Sequence, residues 1–262
     1  MTQPGTPEPF PGFPPAPPAK NRTGLMVVAV IAAVAVITAL VITVLVTTRP
    51  SPSQSASAPG SSTDATTTPS AELTAVRISS PKLITKPGSS EPMATLTLYE
   101  DFLCPVCGGY EKVYGPTVAS LIDSGQIAVD YKIVSVLGRH STKSYSVRAG
   151  AMAYCVADND KDAFRRFHQA LFADQPDEGG STFPSDDQLL AQAREAGAGD
   201  SVAGCVRDGT YLDMVNTGAY TSGIEGTPTI ELNGKDISEE LMAEHNPQTL
   251  IDKVNSITGS KQ

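Results

Sequence analysis

Asp101-Phe102-Leu103-Cys104-Pro105-Val106-Cys107 is the stretch on which the reading of this 262-residue chain turns. Just before it, Ala94-Thr95-Leu96-Thr97-Leu98-Tyr99 alternates apolar and polar residues, the period of a strand with one buried face. Just after it, Pro105 suits the first turn of a helix, where its missing N–H leaves no bond unmade. That helix is expected to reach about Ser124, with Gly108, Gly109, Gly115 and Pro116 weakening and kinking it and Gly125 closing it. Ile127 to Val136 then reads as a second, β-branched strand. Two cysteines therefore sit at a strand-to-helix junction with C-x-x-C spacing.

The junction matters for the sulfur chemistry. A helix N-terminus presents unpaired N–H groups and the positive end of the dipole, which stabilise a thiolate. A cysteine there falls below its free pKa of about 8.5 and becomes a nucleophile. Cys104, at the exposed end, is expected to attack, and Cys107, one turn inside, to resolve the mixed disulfide. A lone C-x-x-C is also half of a zinc site. No second C-x-x-C exists, however, and His140, His168 and His245 stand at no ligand spacing to a cysteine, so neither a metal nor another cofactor is expected. A redox-inert bridge is a further reading, though two such close cysteines close little loop entropy.

The other two cysteines, Cys155 and Cys205, fall in a block of helical pattern from Ser141 to about Ser222, with candidate helices at 149–157, 162–172, 186–196 and 202–216. In an oxidising compartment they would pair, closing a loop worth roughly 4 kcal/mol in the chain-entropy model. Past this block, Gly226-Thr227-Pro228-Thr229 leads into a strand, with proline at a position that suits an edge, a bulge or a cis turn. Asn233-Gly234 marks a hairpin before Lys235-Asp236-Ile237, and a last helix is expected from about Pro247 to Ile257.

Upstream, the composition changes character. Residues 1–23 carry eight prolines between Pro4 and Pro18 and read as a disordered cytoplasmic tail. Residues 24–46 contain no charge and meet the roughly twenty apolar residues a bilayer span requires, longer than the about 7–15 of a cleaved signal. They are read as an uncleaved signal-anchor, a single-pass transmembrane helix. Residues 47–74, rich in Ser, Thr, Ala and Pro, read as a linker to a globular domain at 75–262. Lys20 and Arg22 before the span, against Arg49 after it, favour an N-terminus inside and a C-terminal domain outside the cytoplasm. The net charge of −9 excludes the basic surface that nucleic acid requires.

Taken together, Asp101 to Cys107, Gly226-Thr227-Pro228-Thr229, Asn233-Gly234-Lys235, Ser146-Val147-Arg148-Ala149 and Phe164 to Phe172 resemble the thioredoxin superfamily. The likeness is to its DsbA-like branch, in the membrane-anchored form of mycobacteria and related actinobacteria. It covers about Val76 to Ile257. The resemblance implies an α/β thioredoxin fold with an inserted helical domain at about 140–222. It further implies a cis Pro228 beside Cys104, with Thr227 offering its backbone to an extended substrate. The expected activity is a thiol:disulfide oxidoreductase, an oxidase giving disulfides to exported cysteine-containing proteins. The resemblance also implies reoxidation by a membrane partner, DsbB-like or vitamin K epoxide reductase-like; a reductase, an isomerase or a client-binding module is the alternative. His168 reads as a packing residue. Two departures stand out. Many relatives place an acid six residues before the first cysteine, where this chain has Leu98, with Glu100 and Asp101 nearer. The redox-tuning dipeptide Pro105-Val106 also lacks the histidine of the strongly oxidising members, so a lowered Cys104 pKa and a less extreme potential are expected.

Overall fold

The computed structural model describes residues 72–138, 141 and 143–260. The expected tail, the span at 24–46 and most of the linker lie outside these residues. Among the described residues, no helix is long and apolar enough to cross a membrane.

The chain runs β1 (Val76–Ile78), β2 (Thr95–Glu100), α1 (Pro105–Asp123), β3 (Ala128–Ile133), then a helical block of α2 (Tyr145–Asn159), α3 (Lys161–Ala173), α4 (Asp186–Glu195), α5 (Ser201–Arg207) and α6 (Leu212–Thr221). It closes with β4 (Thr229–Leu232), β5 (Lys235–Asp236), α7 (Ser238–Glu244) and α8 (Pro247–Thr258). The sheet order is β1-β3-β2-β4-β5, parallel only between β2 and β3, whose connection is α1. This is a mixed α/β fold with a helical insertion between β3 and β4.

The central strand explains the geometry of the site. In β2, Leu96 and Leu98 are fully buried between Thr95 and Thr97, and the same parity carries Glu100 onto their face. Leu98 stands opposite Tyr131 of β3 and Ile230 of β4. The strand read from the sequence as reaching Val136 ends three residues earlier. The N–H groups of Val136 and Leu137 bond to the Asp101 carboxylate, each at 2.9 Å, in place of a strand partner.

Two elements differ from their sequence patterns. The expected helix over 202–216 is broken, because Gly209 adopts φ +65° and α6 restarts at Leu212. Helix α1, by contrast, runs unbroken through Pro116. It packs against α3 on one flank and α8 on the other, and this tertiary burial outweighs the weak local propensity. Tyr114 fixes the α8 side, donating to the Leu241 carbonyl at 2.7 Å and accepting from the Asn246 N–H at 3.0 Å. At the β4–β5 hairpin, Asn233 and Gly234 both have positive φ, the requirement of a type I′ turn. The Asn233 side chain bonds back to the Thr95 N–H at 2.8 Å, which fixes the hairpin on β2.

Candidate active site

Cys104 occupies the N-cap position of α1, and Pro105 takes the first helical position. The approach to the helix is held by Asp101, which is fully buried. Its carboxylate accepts from the Leu103 N–H at 2.9 Å as well as from Val136 and Leu137, while its carbonyl accepts from the Cys104 N–H at 2.9 Å. One aspartate therefore ties the β2–α1 turn to the segment after β3. From the insertion, Gln175 adds a second clamp, donating to the carbonyls of Phe102 at 3.1 Å and Cys104 at 2.9 Å.

Both C-x-x-C cysteines are free thiols and both are buried as residues. The Cys104 Sγ lies 3.3 Å from the Thr227 carbonyl, and the Thr227–Pro228 peptide is cis. Two segments 123 residues apart in sequence thus meet at one sulfur. The environment separates the thiols. Hydrogen bonding from the Cys107 thiol, joined by Thr227 and the N–H groups of Cys107 and Val106, outweighs burial and brings Cys104 down to about 6. Cys107 is pushed well up, first by burial, then by its bond to Cys104 and the nearby Glu100 charge. One sulfur is a thiolate near neutral pH while its neighbour keeps a proton. Val106, between them, is half exposed.

Near the cysteines lies a polar trio, Glu100 of β2, Glu111 of α1 and His168 of α3, with one side-chain polar atom from each within 4.8 Å of the others. Glu100 is fully buried, and its Oε2 lies 2.9 Å from the His168 Nε2. The imidazole is enclosed by Phe102, Tyr131, Phe164 and Phe172, with centroids 4.8–5.8 Å away. Burial is the main cause of every shift here: it raises Glu100 and Glu111 to about 8 and lowers His168. The groups therefore favour their neutral forms and share protons, since the histidine nitrogen is already committed to Glu100. His168 packs, as its aromatic surroundings require, but it is also bonded to a buried acid. The carboxylate absent at Leu98 is supplied two residues on by Glu100, on the same strand face. Alternation along β2 was the signal that could have found it; nothing in the sequence pointed to Glu111.

Away from this centre, Cys155 of α2 and Cys205 of α5 are joined in a disulfide, with Cα atoms 5.8 Å apart. That bridge lies inside the helical insertion.

A paired thiol at the head of α1, against a cis X-Pro segment that leads into the neighbouring strand of a mixed sheet, defines a thiol–disulfide oxidoreductase on a thioredoxin fold. Comparison with known proteins agrees. Residues 84–253 match the Thioredoxin family. The oxidised DsbA of Mycobacterium tuberculosis is 44% identical, covering 71% of this chain and 93% of that one with a TM-score of 0.67. The reduced form of the same protein is 43% identical with the same coverage and TM-score. MdbA of Corynebacterium diphtheriae, a thiol-disulfide oxidoreductase, shares the fold at 23% identity, covering 62% of this chain and 87% of its own, with a TM-score of 0.51. The serine/threonine-protein kinase PknE of M. tuberculosis is 32% identical over 136 residues, 50% of this chain but only 24% of the kinase's length. The chain belongs to the thioredoxin family, as a DsbA-like thiol:disulfide oxidoreductase.

Proposed function

We propose that the protein is an oxidase that passes the Cys104–Cys107 disulfide to exported, cysteine-containing proteins. The observation that carries this reading is the asymmetry of the pair: Cys104, brought down to about 6, is a good leaving thiolate, while Cys107 is buried and pushed up. A client thiolate attacks the Cys104 sulfur and the Cys104–Cys107 bond breaks, with its electron pair going to Cys107. Cys107 then takes a proton, for which Glu100 is the adjacent buried donor. A second client thiolate attacks the client's own sulfur in the mixed disulfide and releases Cys104 as thiolate. In the opposite direction Cys104 is the nucleophile and Cys107 the resolving thiol.

Thr227 and the cis Pro228 border this sulfur and offer backbone to an extended client strand. Pro105 and Val106 set the potential through the helix turn they occupy, and the Cys155–Cys205 bridge is structural. The uncharged run at 24–46 anchors the domain outside the cytoplasm. The reduced enzyme is returned to its disulfide by a membrane partner of the DsbB-like or vitamin K epoxide reductase-like kind, in keeping with the resemblance.

The equilibrium potential of the Cys104/Cys107 couple against glutathione tests the direction. A value well above thioredoxin's, about −270 mV, and nearer that of the known oxidants, about −120 mV, is the expected result. A value at or below thioredoxin's would make the protein a reductase.

A further inference from the structure

Glu111 stands apart from the other members of the buried trio because of where it lies in α1. One of its oxygens, Oε1, is sealed from solvent and has no hydrogen-bond partner, as is also true of Oε1 of Glu100. Its other oxygen, Oε2, folds over Gly115 one turn along the helix, so close that a methyl group at that position would lie 2.7 Å from it. Gly115 thereby leaves the room in which the carboxyl rests. Glu111 and Gly115 both line an open cleft of about 750 Å³ between α1 and α3, whose walls also include Pro105, Lys112, Gln169 and Phe172. The other titratable groups around Cys107 are closed in: Glu100 is fully buried, as is Cys107 itself, and His168, Tyr110 and Tyr131 nearly so.

We infer that Glu111, braced by Gly115, is the outlet through which the buried Glu100 and Cys107 exchange protons with water in the α1–α3 cleft. This rests on the reading of Cys104 and Cys107 as an exchanging pair. When a client thiolate breaks the Cys104–Cys107 bond, the new Cys107 thiolate takes a proton from Glu100. Glu100 regains one from Glu111 across the trio, and Glu111 regains one from the cleft. The client dithiol loses two electrons and two protons. One proton ends on Cys107, and the other leaves to solvent because Cys104 departs as a thiolate. His168, bonded to Glu100 Oε2 at 2.9 Å, keeps that carboxyl aimed towards its neighbours.

The groups facing Glu111 fit this part. From its own helix comes Tyr110; from β2 Glu100; from β3 Tyr131; and from α3 His168. Lys112 lies on the cleft rim, and Arg165 of α3 is occupied by Asp123 at 2.9 Å. Glu111 acts through Glu100 and does not touch the reacting sulfurs, so it is a positioning residue whose signature is proton transfer.

The test uses the full chain, oxidised and then reduced by glutathione as probe. Glu111→Gln is expected to slow the reduction roughly tenfold near pH 7, less than the about 10²–10⁴-fold of a direct general acid because Glu111 acts through Glu100, and to enlarge the solvent deuterium isotope effect. The pH midpoint for iodoacetamide alkylation of Cys104 should stay near its original position. A small acid able to enter the cleft, such as imidazolium or dihydrogen phosphate, should restore the rate in proportion to its concentration. Glu111→Asp should recover part of it, and Gly115→Ala, which keeps the acid but shifts its carboxyl, should slow the reaction in the same sense. Unchanged rates in Glu111→Gln, or slowing that no buffer acid relieves, would overturn the inference. So would one equivalent of a divalent metal carried by the purified protein on the trio. If the wild-type disulfide fails to react with glutathione at all, or Cys104→Ser reacts as well as wild type, the reading of the cysteine pair fails instead.

Discussion

At the scale of single residues, the site works by giving chemically identical groups different surroundings. Cys104 and Cys107 are three residues apart, yet one is brought down to about 6 and the other pushed well up. The Cys107 thiol is the largest influence on Cys104, so Cys107→Ala should raise the Cys104 pKa by about one unit or more. The pH dependence of iodoacetamide alkylation reads this directly, and an unmoved midpoint would place the stabilisation with the helix N–H groups instead. Much of this was legible in advance. The spacing, the proline at the first helical position and the strand before it placed Cys104 at the head of α1. Glu100 was within reach too, since Leu96, Leu98 and Glu100 alternate in one strand, but a search at one fixed distance from Cys104 stops on Leu98. Glu111 was not legible. It lies on a helix among residues of mixed character, and only the approach of α3 turns that face into a polar interior.

Elements owe their limits to side chains from elsewhere in the chain. Strand β3 stops where Asp101 takes over its N–H groups, and α1 begins where the same residue supplies its last turn of support. Asp101→Ala would leave three backbone donors without their acceptor near the cysteines, at a net cost of about 3 kcal/mol or more in unfolding free energy. Urea denaturation checks this, and a loss under 1 kcal/mol would show that water replaces the carboxylate. Exchange rates should suffer as well, because the turn carrying Cys104 would loosen. The same dependence on distant partners explains what the local pattern missed. The apolar spacing of 202–216 is continuous, and only the left-handed backbone at Gly209 divides α5 from α6. In α1 the reverse holds, since the glycines and Pro116 advertise weakness that packing against α3 and α8 overrides.

For the whole molecule, stability resting on the apolar core is modulated by the insertion's covalent bridge and by a buried acidic centre. Removing the bridge with Cys155→Ser and Cys205→Ser should cost about 2–4 kcal/mol, measured by denaturation with the redox pair held oxidised. The acidic centre makes stability depend on pH in a definite sense. Glu100 and Glu111 titrate about 8 when folded, above their ordinary value of 4.5, so the folded state holds more protons and loses stability as pH rises through 8. His168 acts oppositely, but only below its ordinary value of 6.5. Between about pH 7 and pH 9 the oxidised protein, whose Cys104 and Cys107 cannot titrate, should lose about 1–3 kcal/mol. Glu100→Gln should flatten that slope, and a stability that rises across the window would contradict the burial of these acids as neutral groups.

The Cys155–Cys205 bridge also bears on how the chain is made. Four cysteines allow three pairings, and the one combining this bridge with a Cys104–Cys107 couple joins each cysteine to the next one along the chain. A polypeptide emerging N-terminus first can therefore close 104 with 107 before Cys155 appears, and then hold Cys155 in reserve until Cys205 arrives. Pairing in the order of emergence gives this connectivity without passing through a mispaired species. The second bridge still needs an oxidant, and under the proposed oxidase reading a finished copy of the same protein would provide it, so that each generation of molecules completes the next.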